Sequence, residues 1–167
     1  MANPKKKFSK YYNKYIVKIY RFVYFKVDSQ ETAQDITSEV FLRCWTSINE
    51  TDKDIENMSA FLYQIARNLI IDFYRKKEKT KTIDIENCPD IKDTKIDLEK
   101  NALLTSEVNR IKKALANIKD DYQNVIIWHY LDDLSIKETA KLLERTEEAT
   151  RVLLHRALKA LREQLKV

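Results

Sequence analysis

The chain runs for 167 residues without one glycine and with only two prolines. Glycine takes positive φ at no steric cost, so its absence restricts tight hairpin turns, bulges and any loop whose backbone must close on a ligand. A Walker phosphate loop, a dinucleotide-binding fingerprint and a calcium-binding loop each need glycines at fixed places, and all three are excluded. Sheets built from hairpins are disfavoured for the same reason. The fold class expected is all-α.

Lys and Arg number 31 against 26 Asp and Glu, a formal net charge of +5. The excess is uneven. Residues 1–27 hold Lys5, Lys6, Lys7, Lys10, Lys14, Lys18, Arg21 and Lys26 and no acid, so the first helix should carry a cationic face that attracts a polyanion such as nucleic acid. A solvated helix surface is the plainer reading of the same run. Cys44 and Cys88 are too few for a disulfide framework and form no CxxC pair, and His129 and His155 have no neighbouring cluster of ligand type. Reduced thiols, no metal and no cofactor are expected. With no recognisable nucleophile–base pair, no catalytic residue and no enzymatic activity are expected either. The N-terminus lacks a secretory apolar core, and no long uncharged apolar stretch occurs after it, so the expected location is cytoplasmic, without membrane insertion.

The segment from Asp28 to Ile48 opens with Asp28 and, three residues on, Glu31, resembling a capping box. Ala33, Ile36, Val40, Phe41, Cys44 and Ile48 then form a stripe of helical period that should face a core. The opposite face carries Asp35, Ser38, Glu39 and Leu42, which periodicity leaves open as solvated surface or docking face. A second helix, from about Ser59 to Glu78, turns Leu62, Ile65, Ala66, Leu69 and Phe73 inward and Gln64, Arg67, Asn68, Asp72 and Arg75 outward. Its basic end, Arg75, Lys76, Lys77, Lys79 and Lys81, lies close to Phe61, Tyr63 and Tyr74. Rings and cations together suit unpaired bases, although aromatics at this spacing equally serve a core.

From about Thr80 to Lys100 the periodicity fails, and Asp84, Glu86, Asp90, Asp93, Asp97 and Glu99 outnumber Lys92, Lys95 and Lys100 around Pro89. A flexible acidic linker is expected at 79–100, between one small helical domain at 1–78 and another at 101–167. It offers few apolar residues to bind the domains together, so the two are expected to be thermodynamically separate. In the second, Leu104, Val108, Ile111, Leu115 and Ile118 make a regular stripe. Tyr122 to Leu131 come next, and then Ser135 and Glu138 form a capping box for a short helix from Ile136 to Leu143. Glu144 and Arg145 connect it to a longer basic helix capped by Thr146, with Thr150, Leu154, Ala157, Leu161 and Leu165 as its buried edge and Glu147, Glu148, Arg151, Val152 and His155 outward. This is the helix-turn-helix plan.

The run Asp35-Ile36-Thr37-Ser38-Glu39-Val40-Phe41-Leu42-Arg43-Cys44-Trp45 resembles region two of the sigma-seventy family of transcription initiation factors. The resemblance continues through Phe61-Leu62-Tyr63-Gln64-Ile65-Ala66-Arg67-Asn68-Leu69-Ile70-Ile71-Asp72 and the basic run behind it. Leu134-Ser135-Ile136-Lys137-Glu138-Thr139-Ala140-Lys141-Leu142-Leu143 and Leu154-His155-Arg156-Ala157-Leu158 are similar to region four. Both regions in this order, joined by a short linker, resemble the extracytoplasmic-function group. The resemblance implies core RNA polymerase and promoter DNA as partners, with an anti-sigma factor as a further one. It implies polymerase binding through Asp35, Ser38, Glu39 and Leu42, and minus-ten contacts from Tyr63, Arg67, Asn68, Arg75, Lys76 and Lys77, with the loop from Asn49 to Ser59 contributing to base choice. For the minus-thirty-five duplex it implies Lys137, Thr146, Arg151, His155, Arg156 and Lys159.

Four positions depart from the family pattern. Glu144 stands where the family usually has glycine, Glu147 and Glu148 open a recognition helix that tends to start small or polar, and Leu153 replaces a frequent basic residue. Acids at that helix start suit the macrodipole but repel phosphate. Two alternatives stay open: a helix-turn-helix regulator acting without polymerase, which leaves Asp35 to Trp45 without a role, and a sigma-like regulator with weak or no initiation activity.

Overall fold

Helix α1 (Pro4–Lys26) begins at Asn3, whose Oδ1 accepts from the Lys5 amide at 3.1 Å, while Pro4 occupies a first-turn position whose N–H would have had no intrahelical partner. The structure, a computed structural model, describes residues 3–50, 54–81 and 102–166. Tyr15, Ile19, Phe22 and Val23 form the buried edge of α1. Helix α2 (Gln30–Glu50) is capped by Ser29, whose Oγ accepts from the Thr32 amide at 3.1 Å. The cap is therefore not Asp28, as the capping-box spacing suggests; the hydroxyl one residue later has the reach, and Glu31 falls in the first turn, where the dipole favours an acid. Ala33, Ile36, Val40, Phe41 and Cys44 are buried as expected, and Thr37 joins them by donating its hydroxyl to the Ala33 carbonyl at 2.7 Å. Helix α3 (Met58–Lys81) starts at Asn57, whose Oδ1 takes the Ala60 amide at 3.0 Å. Leu62, Tyr63, Ala66 and Ile70 are its buried positions. The three helices pack on one another, each touching the other two.

The expected linker beyond Lys81 lies outside the described residues. The chain then forms α4 (Ala102–Ala116), α5 (Asp120–Ile126), a π-helical turn (Ile127–Leu131), α6 (Ile136–Leu143) and α7 (Glu147–Leu165). No strand occurs among the described residues. Leu115 of the α4 stripe is buried, whereas Ile111 is 38% exposed. Ser135 caps α6 by accepting the Glu138 amide at 3.0 Å, and its hydroxyl donates to the Glu138 carboxylate at 3.1 Å. Thr146 caps α7 through the Ala149 amide at 3.1 Å. Between the two, Glu144 takes φ 55° and ψ 42°; its N–H bonds the Lys141 carbonyl at 3.2 Å and the Arg145 N–H that of Ala140 at 3.0 Å. That pair of bonds is a Schellman motif with glutamate in the left-handed position that glycine usually fills. Asp133, at φ 57°, is the other left-handed residue among those described. A chain without glycine must put a side chain at such places.

The halves do not sit apart. Trp128, fully buried, inserts between Phe22 of α1 and Tyr63 of α3, with ring centroids 5.6 and 5.7 Å away. A single apolar cluster therefore runs from Tyr15 to Ala157 through both halves. The apolar content of the linker says nothing about this contact, because the residues that join the halves are supplied by the π turn.

Candidate polymerase and nucleic-acid interfaces

Because α2 buries one face, its polar residues are forced onto the other. Asp35, Ser38 and Leu42 are exposed, Leu42 at 57%, and Glu39 is half-buried with its carboxylate 3.2 Å from Arg43 Nε one turn on. Phe8, Tyr12, Phe41 and Trp45 line a groove beside Ser38 and Leu42. The outward leucine is flanked by rings and has acids beside it. It combines apolar area with charges that orient a partner.

On α3 the six residues implied for the minus-ten element divide. Asn68, Arg75 and Lys76 are exposed, and Asn68 accepts from Gln64 Nε2 at 3.2 Å. Lys77 is half-buried, ion-paired with Asp28 and over the Phe73 ring. Arg67 is half-buried with its guanidinium 5.8 Å from the Trp128 ring centroid. Tyr63, expected among the base-stacking rings, is instead fully buried, and its hydroxyl donates to Asp132 Oδ2 at 2.6 Å. Phe61 is half-buried, and Tyr74, 39% exposed, donates to the Lys26 carbonyl at 2.6 Å. Helical periodicity puts Tyr63 near the basic face because it flanks Leu62, but the buried arc of α3 is one residue wider than the stripe implies.

Asp132 is the polar centre of this region. Completely buried at the end of the π turn, it also receives Arg21 Nη1 at Oδ1, 3.2 Å away, and that same Arg21 nitrogen reaches the Leu131 carbonyl. Burial pushes the Asp132 carboxyl up to about 7, outweighing the Tyr63 hydrogen bond and the attraction of Arg21 and Lys18. Tyr63 is pushed up as well, first by burial and then by the facing carboxylate. Lys26 binds Asp120 and sits 2.5 Å from Asn124 Oδ1; burial lowers its ammonium although Asp120 opposes the shift. Sequence reasoning missed Arg21, Trp128 and Asp132, whose signal was only an Asp-Asp pair directly after an aromatic run.

In α7, Arg151, His155, Arg156 and Lys159 are all exposed, as is Lys137 on α6. Thr146 is exposed too, but its hydroxyl is taken by the cap. Glu147 and Glu148 open the helix, and Glu147 lies 3.8 Å from Arg151 Nη2. Leu153 is only 8% exposed. Its lack of charge is therefore no loss on the outward face: it belongs to the buried edge with Thr150, Leu154 and Ala157. His129, half-buried, directs Nδ1 at the Leu134 carbonyl from 2.8 Å, a bond that fixes the turn. Among the described residues no group of His, Cys, Asp and Glu is arranged to hold a metal, and no helix is long and apolar enough to cross a membrane.

A three-helix unit with an exposed leucine among polar residues on α2 and a basic third helix, succeeded by a helix-turn-helix unit with an open cationic edge, fits a two-region DNA-binding protein. Residues 11–80 match the Sigma-70 region 2 family and residues 109–161 the Sigma-70 region 4 family. The ECF RNA polymerase sigma factor SigW of Bacillus subtilis is 31% identical over 157 residues, which cover 89% of this chain and 83% of that relative. The ECF RNA polymerase sigma factor BldN of Streptomyces coelicolor is 27% identical over 154 residues, 92% of this chain, which spans 58% of that longer protein. The chain of the sigma factor RpoE in its complex with the anti-sigma factor NepR from Bartonella quintana shares the fold, with a TM-score of 0.67 at 19% identity, over 97% of this chain and 98% of that one. The chain belongs to the sigma-70 family, in its extracytoplasmic-function group. As a sigma factor it binds core RNA polymerase and directs it to promoters.

Proposed function

We propose that α2 docks on core polymerase through Asp35, Ser38, Glu39 and Leu42, that Arg67, Asn68, Arg75, Lys76 and Lys77 of α3 engage the single strand of the minus-ten element, and that α7 reads the minus-thirty-five duplex. The observation that carries this reading is Leu42, 57% exposed on the face opposite the α2 core and beside an aromatic groove, with Asp35, Ser38 and Glu39 around it. On α7, Arg151 is the outward cation nearest the helix start and would hold a base edge, while Arg156 and Lys159 would hold phosphates and Lys137, Thr146 and His155 would steady the register. The domain division at 1–78, 79–100 and 101–167, a cytoplasmic location, a non-enzymatic role and restraint by an anti-sigma partner belong to the same reading.

Run-off transcription with core polymerase on a promoter mapped by overexpression tests it. Glu39→Lys should weaken core binding by about 2 kcal/mol or more, a loss of about thirtyfold, with helical content unchanged. Undiminished capture of core by a folded Glu39→Lys protein would overturn the assignment of the face, and absence of transcripts from the wild-type holoenzyme would overturn initiation activity itself.

A further inference from the structure

We propose that Glu148 and Val152 select bases in the minus-thirty-five duplex, the carboxylate by accepting from the N4 amino group of a cytosine and the valine by packing on the C5 methyl of a thymine. The proposal rests on the reading of α7 as the duplex-reading helix. That helix buries Thr150, Leu153, Leu154 and Ala157. At about 100° per residue, the line opposite this edge begins with Glu148 and continues one turn later with Val152. Both are exposed, Val152 at 50%, and it is the one large apolar side chain of α7 left exposed among the described residues. Arg151 falls on one flank of the line and Arg156 on the other, so α7 opens with cations at its sides and an acid and an isopropyl group between them. A recognition helix meets base edges with its N-terminal residues, while phosphates border the groove on either side.

The two acids at the start of α7 are not equivalent. Glu147 lies 3.8 Å from Arg151 Nη2, which offsets its charge, whereas Glu148 has no ion-pair partner among the described residues. In the groove its carboxylate is an acceptor that needs a donor. Guanine and thymine present only acceptors there and would leave it desolvated and repelled, and adenine sets N7 beside its amino group. Cytosine alone presents an amino donor with no acceptor on the same base. Val152 can neither donate nor accept, so the thymine methyl is the group on a base edge that it gains by touching. An acid at this place weakens binding to most sequences and spares one, which is selection by exclusion.

The test uses holoenzyme assembled from the full chain and core polymerase, on a promoter mapped by overexpression and on variants with each base pair of the minus-thirty-five element replaced in turn. In the wild type, replacing one C·G pair should weaken binding about tenfold. In Glu148→Ala that pair should no longer matter, chiefly because the replaced sequences bind more tightly, and Glu148→Gln should move the preference there to adenine. Deoxyuridine in place of one thymidine should weaken the wild type about fourfold, the loss of one methyl contact, and make no difference to Val152→Ala. Both side chains are exposed, so helical content should stay as it is. An equal gain on every sequence with Glu148→Ala would show that the acid only repels phosphate and would overturn its role. Thymidines indifferent to deoxyuridine, or equally sensitive in Val152→Ala, would overturn that of the valine. If no replacement in the element alters binding and Arg156→Ala is silent as well, the reading of α7 itself falls and the proposal with it.

Discussion

Replacing Glu144 by glycine should stabilise the protein. The residue sits at φ 55° and ψ 42°, held there by the two bonds that end α6, and it is exposed, so the side chain has no packing role to lose. A side-chain-bearing residue in this conformation costs about 1 to 2 kcal/mol, from the approach of Cβ to the next carbonyl. Glycine removes that strain but widens the unfolded ensemble, which returns about 0.5 to 1 kcal/mol. At the middle of those ranges the net gain is about 0.7 kcal/mol, or about 1 to 3 °C in Tm for a chain of this size. Thermal unfolding monitored by circular dichroism at the helical band resolves such a shift. Charge needs a control, because an acid at a helix C-terminus is itself unfavourable. Glu144→Ala removes the charge and keeps the Cβ, so it should gain little. Equal stabilisation by alanine and glycine would refute the backbone argument, as would any loss of Tm with glycine.

Asp132 gives a pH signature. Its folded value of about 7 lies above the unfolded value of about 3.9, so its contribution is fully present below the latter and is lost as pH rises through the former. The urea midpoint should fall between about pH 4 and pH 7 more steeply in the wild type than in Asp132→Asn, and parallel slopes would show that Asp132 does not titrate there. Arg151→Ala should cost about 1 to 3 kcal/mol at one base pair of the minus-thirty-five element, whereas Arg156→Ala should weaken all sequences alike; footprinting of the holoenzyme across promoter variants separates the two, and a uniform loss with Arg151→Ala would mean that it holds a phosphate. Cys44, buried with its thiol pushed up to about 11, should resist a thiol reagent at pH 8 until the protein unfolds; rapid native labelling at Cys44 would show that the first three helices open far more readily than their packing implies.

Local chemistry was the part of this fold that could be read in advance. Ser135 and Thr146 cap the helices they precede because a hydroxyl and an orphan amide need only three residues of chain to meet, and the α2 stripe is buried because five apolar residues repeat at one period. The outward position of Asp35, Ser38 and Leu42 was legible for the same reason, as the complement of a stripe. Leu153 falls outside the stripe of α7 because that helix packs against both α5 and α6, which buries a wider arc than one neighbour would. The contact between the two halves was not legible at all. Period analysis marks which face of a helix is covered but not what covers it, and a winding defect that redirects Trp128 and Asp132 leaves no trace in apolar spacing.

That defect also bears on how the protein could change over time. Across the π turn the Asp132 N–H reaches back five residues to the Ile127 carbonyl, and the Leu134 N–H six residues to Trp128, both at 2.9 Å. Each residue of a helix rotates the rest of the chain by about 100° around the axis. Deleting one residue from 127–131 would tighten the turn to ordinary α winding and swing Asp132 away from the Tyr63 hydroxyl, yet it would change no letter of α6 or α7. Chain length at this one turn is therefore a coordinate along which descendants of this protein could loosen or tighten the contact between its two halves, with every side chain of α6 and α7 left as it is.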